Sequence, residues 1–339
     1  MERKREPEFE EFIRQIPKTE THLHLEGAVP LSVYHKRLPA LVSMDTSFLN
    51  PGFRYSSFNE FNGNLLSCAL PYFVSLERYA EASRAVFAEV QAQGVHYLEV
   101  SFHLGLVLAL PGVHPREVID TILGQAPEGL EVRVYAGLLH NDFNGQLGEW
   151  IEEASSWENL TGLDLHGPEE LPFESWTSRA WAKTKEKGKQ NRAHAGEFLG
   201  ADFVERVVRE LQVDRIAHGV RAAENPAVVQ LLVDKGITLD VCPISNFRLR
   251  VSGVDRIQDH PIRQLYDSGV KVTLSSDDPT FFGNQLIDEY SALHQECGFS
   301  LRELVQVAKN GFEAAILPEK RKTDFLMQLD AIADRLPQE

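Results

Sequence analysis

Eight short apolar runs, alternating with stretches of helical spacing, constrain this chain more than any other feature. They fall at residues 19–25, 96–102, 132–139, 161–166, 191–195, 215–218, 238–241 and 271–275. Each is rich in β-branched or other apolar residues and is flanked by turn residues, as strands are. Between most of them lie segments with apolar positions at helical spacing, such as 198–211 and 226–235. Alternation of this kind calls for a parallel sheet with helical crossovers. Eight such units close a (β/α)8 TIM barrel. The expectation is one α/β barrel over residues 1–339, a length that, with 43% hydrophobic residues, supplies the core it needs.

The gap between the first two strands is too long for one helix. Residues 31–93 are expected to hold at least two or three, including 58–73 and 76–93. An insertion after strand one stands at the C-terminal face of a barrel, where it is expected to roof the active site. Residues 301–316 and 322–335 read as extra closing helices.

Charge and cysteine usage narrow the partners. A formal charge of −16 repels phosphate backbones, which disfavours nucleic acid and leaves a small molecule as the expected partner. The three cysteines, Cys68, Cys242 and Cys297, are far apart, so no disulfide framework is expected. The first residues mix both charges without an apolar core, and no apolar stretch reaches the roughly 20 residues of a membrane span. A cytoplasmic protein without a membrane is the expectation. Oligomeric state is not written in the sequence.

The chemistry-bearing residues collect at strand ends. His22 and His24 flank Leu23 at the end of strand one, and residues i and i+2 of a strand face the same way. His194 and Glu197 close strand five, His218 closes strand six, and Asp277 and Asp278 close strand eight. Catalytic groups of this barrel gather at that face. Four histidines and three carboxylates converging there need partners or a metal, because buried charge is costly. Imidazole plus carboxylate suits zinc, with iron, cobalt or manganese as alternatives. A catalytic zinc keeps a position open for water and lowers its pKa to about 7. His22, His24, His194 and Asp277 are the expected ligands. His218 and Asp278 are left to handle the water, and Glu197 to donate a proton. Cys242-Pro243 lacks the second cysteine of the Pro-Cys-x-x-Cys zinc deaminases. Cys242 reads as a small buried apolar residue. His103 and His166, also near strand ends, read as neighbours of the site rather than ligands.

The segments PKTETHLHLEGAVP (17–30), GLDLHGPE (162–169), RAHAGE (192–197), RIAHGV (215–220), DVCPISNFRL (240–249) and LSSDDPTFFG (274–283) stand in order along the chain. With the weaker VAKNGFEAAILPE (307–319), they resemble the adenosine deaminase family of amidohydrolase-type enzymes. The resemblance implies one zinc ion held by His22, His24, His194 and Asp277. It implies that Glu197 protonates N1 of a purine, and that His218 and Asp278 orient and deprotonate the water. Substrate contacts would come from Gly167, whose backbone N–H meets the purine, and from Glu26, His24 and Asp278.

One position departs from the adenosine-specific pattern. Those members usually carry Asp where this chain has Glu26, while members acting on adenine or aminodeoxyfutalosine often carry Glu. Adenosine or deoxyadenosine is the leading substrate on this reading, with adenine and aminodeoxyfutalosine as alternatives. A binuclear amidohydrolase is disfavoured because strand four, LTGLDLHG, lacks a bridging lysine. An inactive adenosine-binding protein would be expected to lack one of the seven chemical groups, and none is missing.

Overall fold

The structure, a computed structural model, describes residues 7–171 and 174–337. Eight strands follow one another around a single sheet: β1 (Lys18–His24), β2 (Val95–His103), β3 (Glu131–Leu139), β4 (Gly162–His166), β5 (Arg192–Ala195), β6 (Arg215–His218), β7 (Thr238–Val241) and β8 (Lys271–Leu274). Every neighbouring pair is parallel. The expected strand order and the barrel class are what is observed.

Side-chain alternation explains the layering. Leu163, Leu165, Ala193, Ile216, Leu239 and Val272 are fully buried and point outward to the helices. Their inward neighbours are polar: Asp164, Arg192, Arg215, Asp240 and Thr273 are buried too. Arg192 bridges to Asp164 at 3.0 Å and lies over the Tyr135 ring at 4.5 Å, while Arg215 Nε meets Asp240 at 3.2 Å and its Nη2 meets Glu99. The barrel floor is therefore an ion-paired layer, in which each of these buried charges faces an opposite one.

Closure between β8 and β1 departs from a regular ladder. It is made beyond the end of β8 by a bridge between Leu23 and Asp277. The His24 N–H donates to the Asp277 carbonyl at 3.1 Å and the Asp277 N–H to the His22 carbonyl at 3.2 Å. Thr21 N–H reaches the Ser275 hydroxyl at 3.1 Å instead of a backbone partner. The expected strand at 19–25 loses Leu25, which opens a short helix, Leu25–Ala28.

The segment 31–93 contains helices Leu31–Arg37, Phe58–Tyr72 and Leu76–Gln91. Ser57 and Ser75 start the last two by accepting the backbone N–H three residues on, a standard helix cap. Helices Leu301–Ala314 and Glu319–Ala333 follow the barrel, and the first packs on β8 and β1.

Candidate metal and catalytic site

Three imidazoles and one carboxylate meet at the C-terminal mouth of the barrel. His22, His24, His194 and Asp277 are all buried and form a group that could hold a metal ion. His194 Nε2 lies 3.0 Å from His22 Nε2 and 3.2 Å from His24 Nε2. Asp277 Oδ1 lies 3.4 Å from both His22 Nε2 and His24 Nε2. Ligand atoms around a tetrahedral zinc at about 2.0–2.1 Å stand about 3.3–3.4 Å apart. The overlapping groups His22–His218–Cys242 and Glu197–His218–Asp277 offer one ligand fewer.

The outer nitrogens of two ligands set their tautomers. His194 Nδ1 lies 3.0 Å from the Leu165 carbonyl and His22 Nδ1 lies 3.3 Å from the Asp240 carbonyl. A carbonyl only accepts, so each Nδ1 carries the proton and each Nε2 presents a lone pair. Two lone pairs 3.0 Å apart repel one another, and a shared cation removes that repulsion. The donor set therefore fits a divalent metal. Asp164 approaches His194 Nδ1 at 3.3 Å and is itself held by Arg192 and by the Ser101 hydroxyl at 2.8 Å. Burial is the largest influence and opposes protonation of His194, but the Asp164 and Asp277 carboxylates together raise this imidazole. Burial lowers His24 to about 3, with Asp277 opposing the shift. Asp277 Oδ2 accepts the Ser245 hydroxyl at 2.7 Å. Burial works against ionisation of Asp277, yet the surrounding imidazoles hold its carboxyl well below the usual range.

Glu197, His218 and Asp278 surround this group. His218 Nε2 is 3.6 Å from Glu197 and 3.9 Å from Asp277. Glu197 Oε1 and Asp278 Oδ1 are buried without a hydrogen-bond partner. Burial, reinforced by the Asp277 charge, pushes both carboxyls well above the ordinary range. His218 and Asp277 both adopt left-handed backbone, at φ 65° each, which side chains other than glycine rarely take. Such strain concentrates at functional sites.

A cavity of about 280 Å³ opens from these residues toward the helix Phe58–Tyr72. Phe58, Phe61, Leu65 and Leu66 of that helix line it. Glu26 borders it too, but its Oε1 accepts the His103 N–H at 2.9 Å, and burial raises its carboxyl to about 7. His103 and His166 share the wall, 3.2 Å apart, and His166 stacks on His24 at 5.3 Å between centroids. Among the described residues no lysine or arginine lines the cavity. Gly167 lines it at φ +87°, a backbone conformation that other residues rarely adopt, so the conformation favours glycine.

The sequence reading missed three supports. Glu169 accepts the N–H groups of Glu197 and Phe198 at 3.0 Å and of Leu199 at 2.5 Å, fixing the loop after β5. Asn246 and His260 stand behind His218. Cys242 is buried as expected, but its sulfur lies 3.5 Å from His22 Nδ1. Glu169, Asn246 and Cys242 belong to the quoted motifs; their contacts cross from one strand's loop to another's, which spacing along the chain does not reveal.

The adenosine deaminase family model matches residues 17–332. An adenine deaminase of Sinorhizobium medicae is 31% identical over 326 residues, covering 93% of this chain and 98% of its own. Among solved structures, an adenine deaminase from Arthrobacter aurescens superposes with a TM-score of 0.83 at 24% identity, covering 94% of this chain and 99% of its own. An amidohydrolase from Burkholderia ambifaria, solved with bound zinc, gives 0.81 at 19% identity over 98% and 95% of the two chains. With motifs, barrel and model match in agreement, the chain belongs to the adenosine deaminase family, enzymes that hydrolyse carbon–nitrogen bonds.

Proposed function

We propose that this protein hydrolyses the exocyclic C6–N bond of an adenine-type base, releasing ammonia and leaving the 6-oxo base. One observation carries the reading. The Glu197 carboxyl, whose Oε1 has no hydrogen-bond partner and which burial pushes well above the ordinary range, faces the same cavity as the three-imidazole, one-carboxylate group. His22, His24, His194 and Asp277 would hold zinc, whose chemistry when bound is to make water acidic and nucleophilic near neutral pH. Glu197 donates a proton to ring N1, which drains negative charge from C6 as water adds. Burial and the Asp277 charge raise the Asp278 carboxyl in the metal-free chain, and beside a bound cation it returns to its carboxylate form. In that form it takes a proton from that water and returns it to the departing amine, while the remaining hydroxyl proton goes back to Glu197 as the 6-oxo group forms. His218 faces the attacking oxygen, beside Glu197 and Asp277. Gly167, Glu26 and His24 contact the rest of the substrate. The helices of segment 31–93 act as a lid that keeps bulk water from the reaction.

The cavity lining supports an uncharged substrate. Its ionisable groups are carboxyls and histidines, with no fixed cation to receive a phosphate, so a base or nucleoside fits better than a nucleotide. About 280 Å³ is at the small end for ligand sites. Adenosine leads on sequence pattern alone, but a relative 31% identical is an adenine deaminase, and Glu26 agrees with that branch. Free adenine is therefore the preferred substrate, ahead of adenosine and aminodeoxyfutalosine.

Ammonia release from adenine, adenosine, 2′-deoxyadenosine, 5′-modified adenosines and aminodeoxyfutalosine, compared by kcat/KM on zinc-loaded protein, tests this. Adenine should rank first. A higher kcat/KM for any nucleoside overturns the substrate choice, and no ammonia from the whole panel overturns the reaction.

A further inference from the structure

Behind His218 runs a buried chain of hydrogen bonds whose direction is fixed at its far end. The Ile262 backbone N–H donates to His260 Nδ1 at 3.1 Å. A backbone N–H can only donate, so His260 Nδ1 carries no proton, and the neutral ring must hold its proton on Nε2. That Nε2 lies 3.0 Å from Asn246 Oδ1, which accepts it. The Asn246 amide then presents its NH2 to His218 Nδ1 at 3.1 Å. His218 Nδ1 is thereby an acceptor, and the His218 proton sits on Nε2, the nitrogen that faces Glu197 and Asp277. His218, Asn246 and His260 are all buried, so water does not compete for these bonds. Burial also keeps His260 neutral, lowering it to about 3.

We infer that Asn246 and His260 are positioning residues that lock His218 as an Nε2–H hydrogen-bond donor toward the reacting centre. His218 then stabilises the attacking oxygen by donation and does not act as the base. The water proton goes to Asp278. The inference rests on the reaction proposed above only for its kinetic consequence. The tautomer itself is a property of the folded chain.

Asn246→Asp is the decisive variant. An aspartate has the same shape but only accepts, so it draws the His218 proton to Nδ1 and leaves a lone pair facing the reacting centre. A wrong tautomer at a catalytic imidazole costs up to about 10⁴ in kcat. The expected result is a kcat loss of about 10² or more with KM within about threefold and zinc per chain unchanged. His260→Gln, which keeps a donor for Asn246, should stay within about tenfold of the parent, while His260→Leu should fall as Asn246→Asp does. Long-range proton–nitrogen spectra of the zinc-loaded protein, with His218 assigned by its loss in His218→Gln, should show the Nε2–H form. This readout needs no turnover and separates failure of the inference from failure of the proposed reaction. An Nδ1–H form, a normal kcat in Asn246→Asp, or equal losses in the two His260 variants overturns the inference.

Discussion

The Glu169 carboxylate accepts the backbone N–H of Glu197 at 3.0 Å. The contact does two things at once. It anchors the loop that aims Glu197 into the cavity, and it sets a negative charge beside an acid that must stay protonated. Burial is the largest cause of the raised Glu197 carboxyl, followed by Asp277 and then Glu169.

The sign of a pH effect follows. Glu197 is active in its acid form, so activity is present below its pKa and is lost as pH rises through it. Glu169→Gln removes one of the charges that raise Glu197. The alkaline limb of kcat should move to lower pH, as read from a pH–rate profile. A limb that stays in place or moves upward refutes the coupling.

Glu197→Gln keeps the shape of the side chain and removes the acidic proton. Zinc per chain should be unchanged, while kcat should fall by about 10²–10⁴, the usual worth of one positioned proton donor. Turnover near that of the parent would remove Glu197 from the mechanism.

Asp277→Ala deletes the carboxylate that approaches both His22 and His24 at 3.4 Å. Metal analysis after gel filtration should find zinc per chain clearly below that of the parent protein. Asp277 also carries the barrel-closing bridge through its backbone, which alanine preserves, so the fold should persist by circular dichroism. Full zinc occupancy in this variant would exclude Asp277 as a ligand.

Gly27→Ala tests space rather than conformation. Gly27 is not among the glycines at positive φ, yet a Cβ there would lie 1.6 Å from Asp278 Oδ1 and 2.4 Å from its Cγ. The Asp278 side chain must swing away. We expect a kcat loss of about 10² or more, with a stability cost of about 1–3 kcal/mol from overpacking. Unchanged kcat would show that Asp278 can relocate without consequence for the reaction.

Legibility differed by level. Strand positions could be read to within a residue or two because each strand is a short run of β-branched or other apolar residues between turn residues, a local signal that needs no tertiary information. Helix ends shifted more. The run expected at 198–211 begins at Ala201, because Glu169 captures the N–H groups of Glu197, Phe198 and Leu199 and holds them outside the helix. The outcome at strand eight was less regular than expected. Asp277 and Asp278 lie past Leu274, the last residue of β8, in an irregular segment bridged to Leu23. Asp277 has φ 65° there, a conformation no local preference of aspartate demands.

The order of strands, the barrel class and the chemical character of the site were set by the sequence alone. They depend on periodicity and on which side chain stands at each strand end, both of which are local. The tertiary structure decided what depends on direction and distance between separate loops. It brought three Nε2 atoms and one carboxylate within 4.8 Å of one another, and it fixed which nitrogen of His22, His194 and His218 holds the proton. Hydrogen-bond polarity is set by the partner across space, and that partner lies 28 to 218 residues away in the chain.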